Sequence, residues 1–249
     1  MATRYAVIGV EGPHDQAFVG KVLMGLGFRE FGGKASELDP FWEKFKPTYP
    51  KNGKLYDRLD MPSILSTADL SVALYAAGGT SLKTIYPKTF ANRPEYRDGV
   101  AAFGIVADAD NTDPARVAGD YATAYRPHFP QFPGQPGDVD TGAIRTGIYV
   151  LPDNVQHGVL ETLVIPCGDV VYPRHMGAAR RYLGEFEAGD KAHWAPFDEQ
   201  KALVATVASV LQPGSTNTVT IKRDGWIGPA TAAQVQPFVD FLKRLLNLP

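Results

Sequence analysis

Two short acidic motifs follow apolar runs of the chain, and their carboxylates could bind a divalent metal ion. Glu11 and Asp15 come after the first run, and Asp108 and Asp110 come after a later one. Carboxylates just beyond a buried strand lie at the crevice where open α/β sheets bind ligands. Four acids gathered there would be costly without a neutralising cation, and a divalent metal is the simplest candidate. The sequence therefore predicts a metal site.

Each acidic pair also has a purely structural alternative. Glu11 and Asp15 lie near a predicted helix start, where acids are stabilised by about 0.3–1 kcal/mol through the helix dipole. Asp108 and Asp110 belong to the segment Asp-Ala-Asp-Asn-Thr-Asp-Pro, which suits turns and helix caps without any metal. The sequence leaves these alternatives open beside the metal site.

The elements that must position these residues alternate between strand and helix, which indicates an α/β fold with a central, mostly parallel sheet of about four strands flanked by helices. Strands are predicted at residues 5–10, 71–76, 102–107 and 147–151. Helices are predicted at residues 14–26, 114–125, 177–186, 198–211 and 235–246, with a further helix around residues 159–164.

Two segments do not follow this alternation. Residues 29–62 are rich in Gly, Pro, Lys and aromatic residues with weak periodicity, and we expect an insertion or lid after the first helix. Its stretch at residues 41–46 could stack on a nucleic-acid strand, although core packing by Trp42 and its neighbours is the favoured alternative. Residues 126–140 form a predicted Pro- and Gly-rich loop.

Length and composition limit the class of protein. The chain has 249 residues, of which 44% are hydrophobic, so it can bury a sizeable core, and we expect one domain over residues 1–249. The formal net charge is −2, so any contact with nucleic acid would need a local basic patch. With neither a signal-peptide core nor an apolar run long enough to span a bilayer, the sequence predicts a cytoplasmic protein that does not contact membranes.

Several other kinds of site lack their motifs. Cys167 is the only cysteine, which excludes an intrachain disulfide framework and a cysteine zinc cluster. Four of the five histidines, His128, His157, His175 and His193, show no paired ligand spacing for zinc. The sequence contains no phosphate-cradling Gly-x-x-x-x-Gly-Lys, no Gly-x-Gly-x-x-Gly and no serine nucleophile elbow. These absences leave the acidic motifs as the main candidates for chemistry.

Taken together in their order and spacing, these motifs resemble the Toprim fold. The resemblance is carried by Val10-Glu-Gly-Pro-His-Asp15, Asp108-Ala-Asp110, Val150-Leu-Pro-Asp-Asn154 with Gly158-Val-Leu-Glu161, and Lys201. More narrowly, the chain resembles a small standalone Toprim-like family labelled as a domain of unknown function. That family is similar to the nuclease half of the overcoming-lysogenization-defect (OLD) enzymes. The resemblance implies a Toprim-like Rossmannoid fold.

The resemblance also implies a Mg²⁺- or Mn²⁺-dependent nuclease that cleaves phosphodiesters, with DNA favoured over RNA as its substrate. Two ions roughly 3.5–4 Å apart can clamp both the attacking and the leaving oxygen. A positioned lysine compensates the charge that develops in the transition state. The implied metal ligands are Glu11, Asp15, Asp108, Asp110 and Glu161, with Asp153 as a further candidate. Glu11 is also implied to be catalytic. The implied lysine is Lys201, with Lys222 as its competitor.

The later residues of this set have plainer alternatives as well. Asp153 could close an ordinary turn or cap the helix that follows it. Glu161 could lie on the solvated face of that helix. Lys201 could be a surface lysine.

Two rival functions are compatible with the sequence. A strand followed by Asp108-Ala-Asp-Asn-Thr112 resembles the opening motif of haloacid-dehalogenase-type phosphatases, in which Asp108 would be the nucleophile and Asp110 the general acid. The other rival is a Toprim-like binding or regulatory module without catalysis.

The nuclease hypothesis also predicts a partner. OLD enzymes carry an ATPase domain that this chain lacks, so we expect an ATPase partner or a homo-oligomer.

Overall fold

The structure is a computed structural model that describes residues 3–45, 61–79 and 81–249. Within these ranges the strands form one sheet of both parallel and antiparallel pairs. The strands are β1 (Arg4–Val10), β2 (Arg29–Glu30), β3 (Ser63–Ser66), β4 (Leu70–Ala76), β5 (Ala102–Asp108), β6 (Val139–Asp140) and β7 (Arg145–Leu151). Their order across the sheet is β2-β3-β4-β1-β5-β7-β6.

Helices connect the strands and form the C-terminal third of the chain. The α-helices of the described residues are α1 (Pro13–Gly25), α2 (Ser81–Asn92), α3 (Pro94–Gly99), α4 (Pro114–Tyr125), α5 (Leu160–Val171), α6 (Pro173–Gly184), α7 (Asp198–Leu211), α8 (Asn217–Arg223) and α9 (Ala232–Leu246). Short 3₁₀ turns cover Ala35–Glu37, Pro40–Phe45 and Pro229–Thr231. The predicted helices at residues 114–125 and 198–211 have the same bounds as α4 and α7. None of the helices in the described ranges has both the length and the apolar character that crossing a membrane requires.

The centre of the sheet is the predicted parallel core. β1 pairs in parallel with β4 on one side and with β5 on the other, and β5 pairs in parallel with β7. These are the four strands that the sequence predicts. The number of strands is nevertheless wrong, because β3 adds to β4, β2 adds to β3 and β6 adds to β7, each antiparallel. Within the described residues the sheet therefore has seven strands and is mixed.

The three unpredicted strands are too short to show a pattern in the sequence. β2 and β6 have two residues each, and β3 has four, whereas periodicity needs a longer window. β2 lies inside the predicted insertion at residues 29–62, so this segment begins by extending the sheet. The part of the insertion at residues 46–60 lies outside the described residues.

Apolar residues fill the space on both faces of the sheet. Successive side chains of β1 point to opposite faces, so Ile8 joins a core with α1, α5, α6, α7 and α9, while Val7 joins a core with α2 and α4. Both side chains have no solvent exposure. The expectation that helices cover both faces is thus confirmed, and β1 is held rigidly at the centre.

The aromatic residues near position 42 belong to the second of these cores. Trp42 is fully buried, and its indole Nε1 donates a hydrogen bond of 2.8 Å to Oγ of Ser71. Phe41 stacks on Tyr5 with ring centroids 3.9 Å apart. Core packing, the favoured alternative, is confirmed for these two side chains.

Phe238 of α9 should be a main contributor to stability. Its ring is fully buried and lies 4.9 Å from the rings of both Phe18 and Tyr149. We expect Phe238→Ala to lower the free energy of unfolding by about 3–5 kcal/mol, because it opens a cavity where α9 meets the sheet. Urea denaturation measures this.

Phe186→Ala is the matched control, since that ring is 40% exposed. We expect a change within about 0.5 kcal/mol for the control. Equal losses in the two variants would contradict the packing described here.

Candidate functional site

The parallel strands β1 and β5 bring Glu11 and Asp108 to the same edge of the sheet. Val10, the last residue of β1, is in register with Val106 of β5. Glu11 therefore follows at the level where β5 ends in Asp108. Carboxyl ends of neighbouring parallel strands form the usual ligand crevice of such sheets.

Asp15 reaches the same edge from the first turn of α1. Its Oδ2 accepts a hydrogen bond of 2.8 Å from the backbone N–H of Gly12, the residue that precedes the helix. This is the capping role that the sequence left open. Asp15 is also only 7% exposed, however, and a cap on a solvated helix end needs no such burial. Capping alone does not account for its position.

Glu161 comes to the cluster from the first turn of α5. It is 4% exposed, so the alternative of a solvated helix face is wrong. Its Oε1 lies 3.5 Å from Nδ1 of His14, an ion pair when the imidazole is protonated. His14 itself is 41% exposed in its side chain and lies at the rim.

Asp110 links the ends of β5 and α5 through its backbone. Its N–H donates to the carbonyl of Gly158 at 2.8 Å, and the Gly158 N–H donates back to its carbonyl at 3.0 Å. Asp110 has a φ of 49°, a left-handed conformation that Asp tolerates better than most residues. Its side chain is exposed, in contrast to Asp15 and Glu161. The backbone bridge thus holds the segment before Glu161 against the end of β5.

The carboxylates are close enough to disfavour one another's ionisation. Burial, opposed by the Gly12 hydrogen bond and reinforced by the charges of Glu11 and Glu161, raises the pKa of Asp15 to about 7. Burial and then the charge of Asp15, with smaller effects from the other acids, raise the pKa of Asp108 to about 9. Oδ1 of Asp108 is buried and accepts no hydrogen bond from the described residues. The four buried or half-buried acids therefore form one electrostatic cluster.

Two residues that sequence reasoning missed, Tyr121 and Lys83, also belong to this site. The buried Tyr121 of α4 donates its O–H to Oε1 of Glu11 at 3.1 Å. Nζ of Lys83 in α2 lies 4.8 Å from the centre of the Tyr121 ring. Burial raises the pKa of Glu11, whereas the Tyr121 hydrogen bond and the charge of Lys83 oppose the rise. The only available sequence signal concerned Tyr121, a phenol on an apolar helix face, because a buried phenol needs a hydrogen-bond partner.

Asp153 occupies a turn beyond the end of β7. Its Oδ1 accepts hydrogen bonds from the backbone N–H groups of Val155 and Gln156, and its Oδ2 accepts one from the Gln156 side chain. Burial acts to raise the pKa of Asp153, but these hydrogen bonds hold it below its usual value. The turn alternative describes this residue, and all the contacts that its carboxylate makes here are local.

The two lysines implied by the resemblance make contacts elsewhere. Lys201 is half exposed, and its Nζ lies 3.9 Å from Asp198 of its own helix. Lys222 forms an ion pair with Glu30 at 2.6 Å. The charge of Lys83, by contrast, acts to lower the pKa of Glu11 in the acidic cluster.

The acidic cluster fits a divalent cation by its chemistry, although not as a preformed coordination shell. Its donors are all carboxylate oxygens, which Mg²⁺ and Mn²⁺ prefer, and one of these oxygens is buried without a partner among the described residues. However, no three His, Cys, Asp or Glu side chains of the described ranges are already arranged around a common point. We therefore expect any ion binding to be accompanied by side-chain movement.

Comparisons with known proteins place the chain in a family. A family model described as "Protein of unknown function (DUF3226)" matches residues 5–247. The chain belongs to DUF3226. Its fold is similar to the crystal structure of a hypothetical protein from Pyrococcus horikoshii OT3, with a TM-score of 0.56 and 18% sequence identity over 98% of this chain and 96% of that one.

The DUF3226 match leaves function to be argued from the site. No curated protein matches the chain. Neither of the two matches links DUF3226 to Toprim or OLD proteins, so that resemblance rests on the residues alone and stays a prediction. An identity of 18% supports a shared fold and nothing beyond it.

The raised pKa values predict how stability depends on pH in the presence of EDTA. Asp15 and Asp108 have folded pKa values of about 7 and about 9, above their unfolded value of 3.8. The contribution of these two groups to folding stability is therefore fully present below pH 3.8, and it is lost as the pH rises through their folded pKa values. We expect the free energy of unfolding to fall between about pH 5 and pH 9, as measured by urea denaturation. A stability that rises across this range would contradict the burial of the cluster.

Removing the Asp108 carboxylate, whose pKa is raised the most among the acids of the cluster, should stabilise the protein in EDTA. We expect Asp108→Asn to raise the midpoint of thermal unfolding at pH 8 by about 2–4 °C or more, because the neutral amide need not hold a proton that the unfolded chain releases. Asp240→Asn is the control, since Asp240 is exposed on α9 and should leave the midpoint unchanged. Differential scanning calorimetry measures both, and a lower midpoint for Asp108→Asn would refute the electrostatic argument.

Proposed function

We propose that this DUF3226 protein is a Mg²⁺- or Mn²⁺-dependent nuclease that hydrolyses phosphodiesters by a two-metal mechanism. The observation that carries the proposal is the gathering of half-buried Glu11 and Asp108 at the ends of parallel strands with buried Asp15 and Glu161 from helix first turns. Oδ1 of Asp108 accepts no hydrogen bond from the described residues. Buried like charges of this kind are costly unless a cation compensates them. Strongly perturbed carboxylates in a crevice are also typical of functional sites.

The candidate ligands fall into three groups by their position. Glu11 and Asp15 come from the loop and first turn after β1, Asp108 and Asp110 from the end of β5, and Glu161 from the start of α5. When bound, divalent ions supply an activated water and offset the charge that develops on the phosphoryl oxygens. We leave Asp153 out of this set because its carboxylate closes a local turn.

The remaining residues of the site orient the ligands and hold protons. The Tyr121 O–H bonds to Oε1 of Glu11 and so limits the rotation of that carboxylate. The Gly12 N–H does the same for Oδ2 of Asp15. When protonated, His14 would pair with Glu161 through Nδ1. Glu11, Asp15 and Glu161 thus each have a neighbour that restrains them, whereas Oδ1 of Asp108 has none among the described residues.

The phosphatase alternative uses less of this site. It assigns the nucleophile to Asp108 and the general acid to Asp110. It also leaves Glu11 and Asp15 without a role, although both act electrostatically on Asp108. The cluster as a whole therefore favours the metal-dependent nuclease.

The partners of this nuclease follow from the same proposal. The resemblance to OLD enzymes favours DNA over RNA as the substrate. With a formal net charge of −2, binding depends on a local contact rather than on a general basic field. An ATPase partner or a homo-oligomer remains part of the proposal.

A plasmid-nicking assay with Mg²⁺ or Mn²⁺ tests the function. We expect nicking that EDTA abolishes, and a loss of at least about a hundredfold in Glu11→Gln and in Asp108→Asn, because both remove charge from the ion site. Asp153→Asn is the control, since an asparagine side chain can close the same turn and should retain activity.

Other outcomes separate the alternatives. Turnover of a small phosphomonoester that depends on Asp108 but not on Glu11 would favour the phosphatase. Nucleic-acid binding without cleavage, and without any uptake of Mg²⁺ or Mn²⁺ in calorimetry, would favour a non-catalytic module. A severe loss in Asp153→Asn would return that residue to the ligand set.

A further inference from the structure

The site proposed above contains an excess of negative charge, and a phosphodiester substrate adds more. Bound ions offset part of this charge, and a nearby side-chain cation is needed to attract and hold the substrate's phosphate. The resemblance implies Lys201, with Lys222 as its competitor, as the lysine that compensates transition-state charge. In the structure these two lysines pair with Asp198 and Glu30. The structure offers a different lysine.

Lys83 is placed beside the cluster by a firmly anchored helix start. The N–H groups of Gly78 and Gly79, just before α2, donate to the carbonyl of Glu11 at 3.0 and 3.3 Å. Leu82 is fully buried, and its carbonyl accepts the O–H of Tyr125 at 2.6 Å. The loop after β1 and the end of α4 are thus both tied to the start of α2, and Lys83 follows directly.

The ammonium group of Lys83 is held near Glu11 but retains donors for a ligand. It lies 4.8 Å from the centre of the Tyr121 ring, and the O–H of that same tyrosine binds Glu11. Its closest described carboxylate oxygen is Oδ2 of Asp120 at 3.8 Å, which is longer than a hydrogen bond. Asp120 is itself 54% exposed, so this ion pair is weak. The Lys83 side chain is 34% exposed, so an incoming anion can reach its ammonium group.

We propose that Lys83 binds a non-bridging phosphate oxygen of the nucleic-acid substrate. This inference rests on the proposed nuclease function. Lys83 acts as a substrate-binding residue: its N–H groups donate to the phosphate, and no bond to it forms or breaks. Tyr121 connects Lys83 with the acidic cluster, because it contacts both Lys83 and Glu11.

The test measures substrate binding apart from turnover. A short fluorescent DNA duplex is titrated with protein in Ca²⁺, which takes the same oxygen ligands, and anisotropy gives the dissociation constant. We expect Lys83→Gln to weaken binding by at least about tenfold, and Lys83→Arg to restore most of it because the charge is kept. Lys201→Gln is the matched control, with a change within about twofold.

Calorimetric uptake of Mg²⁺ and thermal unfolding are measured on the same proteins. Lys83→Gln should fold and take up Mg²⁺ as the wild type does. DNA binding by Lys83→Gln equal to that of the wild type would overturn the inference, as would a loss confined to Lys201→Gln. An equal loss of Mg²⁺ uptake in Lys83→Gln would also overturn it, because the lysine would then support the cluster rather than the substrate. If the wild type takes up no divalent ion at all, the proposed function itself fails.

Discussion

The parallel pairing of β1 with β4 on one side and with β5 on the other determines where the acidic side chains lie. Because β1 is buried on both faces, its end is held firmly, and the chain must leave the sheet at the same edge as β5. Glu11 and Asp108 then meet without any further device. The helices that begin at this edge, α1 and α5, add Asp15 and Glu161 from their first turns. The site is thus a direct consequence of the sheet's topology.

This arrangement has an electrostatic cost that the fold offsets only in part. Asp15 gains one hydrogen bond from Gly12 and Glu11 gains one from Tyr121, yet burial still raises the pKa values of both acids. Asp108 is the least compensated, because its buried Oδ1 has no hydrogen-bond partner among the described residues. A protein selected for stability alone would have a neutral side chain there. This electrostatic cost is concentrated where a bound cation would relieve it.

Membership of DUF3226 and the likeness to the Pyrococcus horikoshii structure extend the fold to other proteins but not the chemistry. One fold can support many activities, so function has to be argued from particular side chains. Here the informative side chains come from β1, α1, α2, β5, α4 and α5 or their adjoining loops, and they meet near the carboxyl ends of β1 and β5. The nuclease proposal and the role of Lys83 both rest on that convergence.

The sequence by itself determined the long elements and the placement of acids at their ends, because helical and strand periodicity are local properties. It predicted the four parallel strands, and it placed α4 and α7 with their observed bounds. Only the tertiary structure decided the rest. β2, β3 and β6 exist because neighbouring strands offer them hydrogen bonds, and no pattern of two to four residues encodes that. Likewise, Tyr121 and Lys83 lie beside Glu11 while Lys201 contacts its own helix, because side-chain proximity across helices depends on how the helices pack.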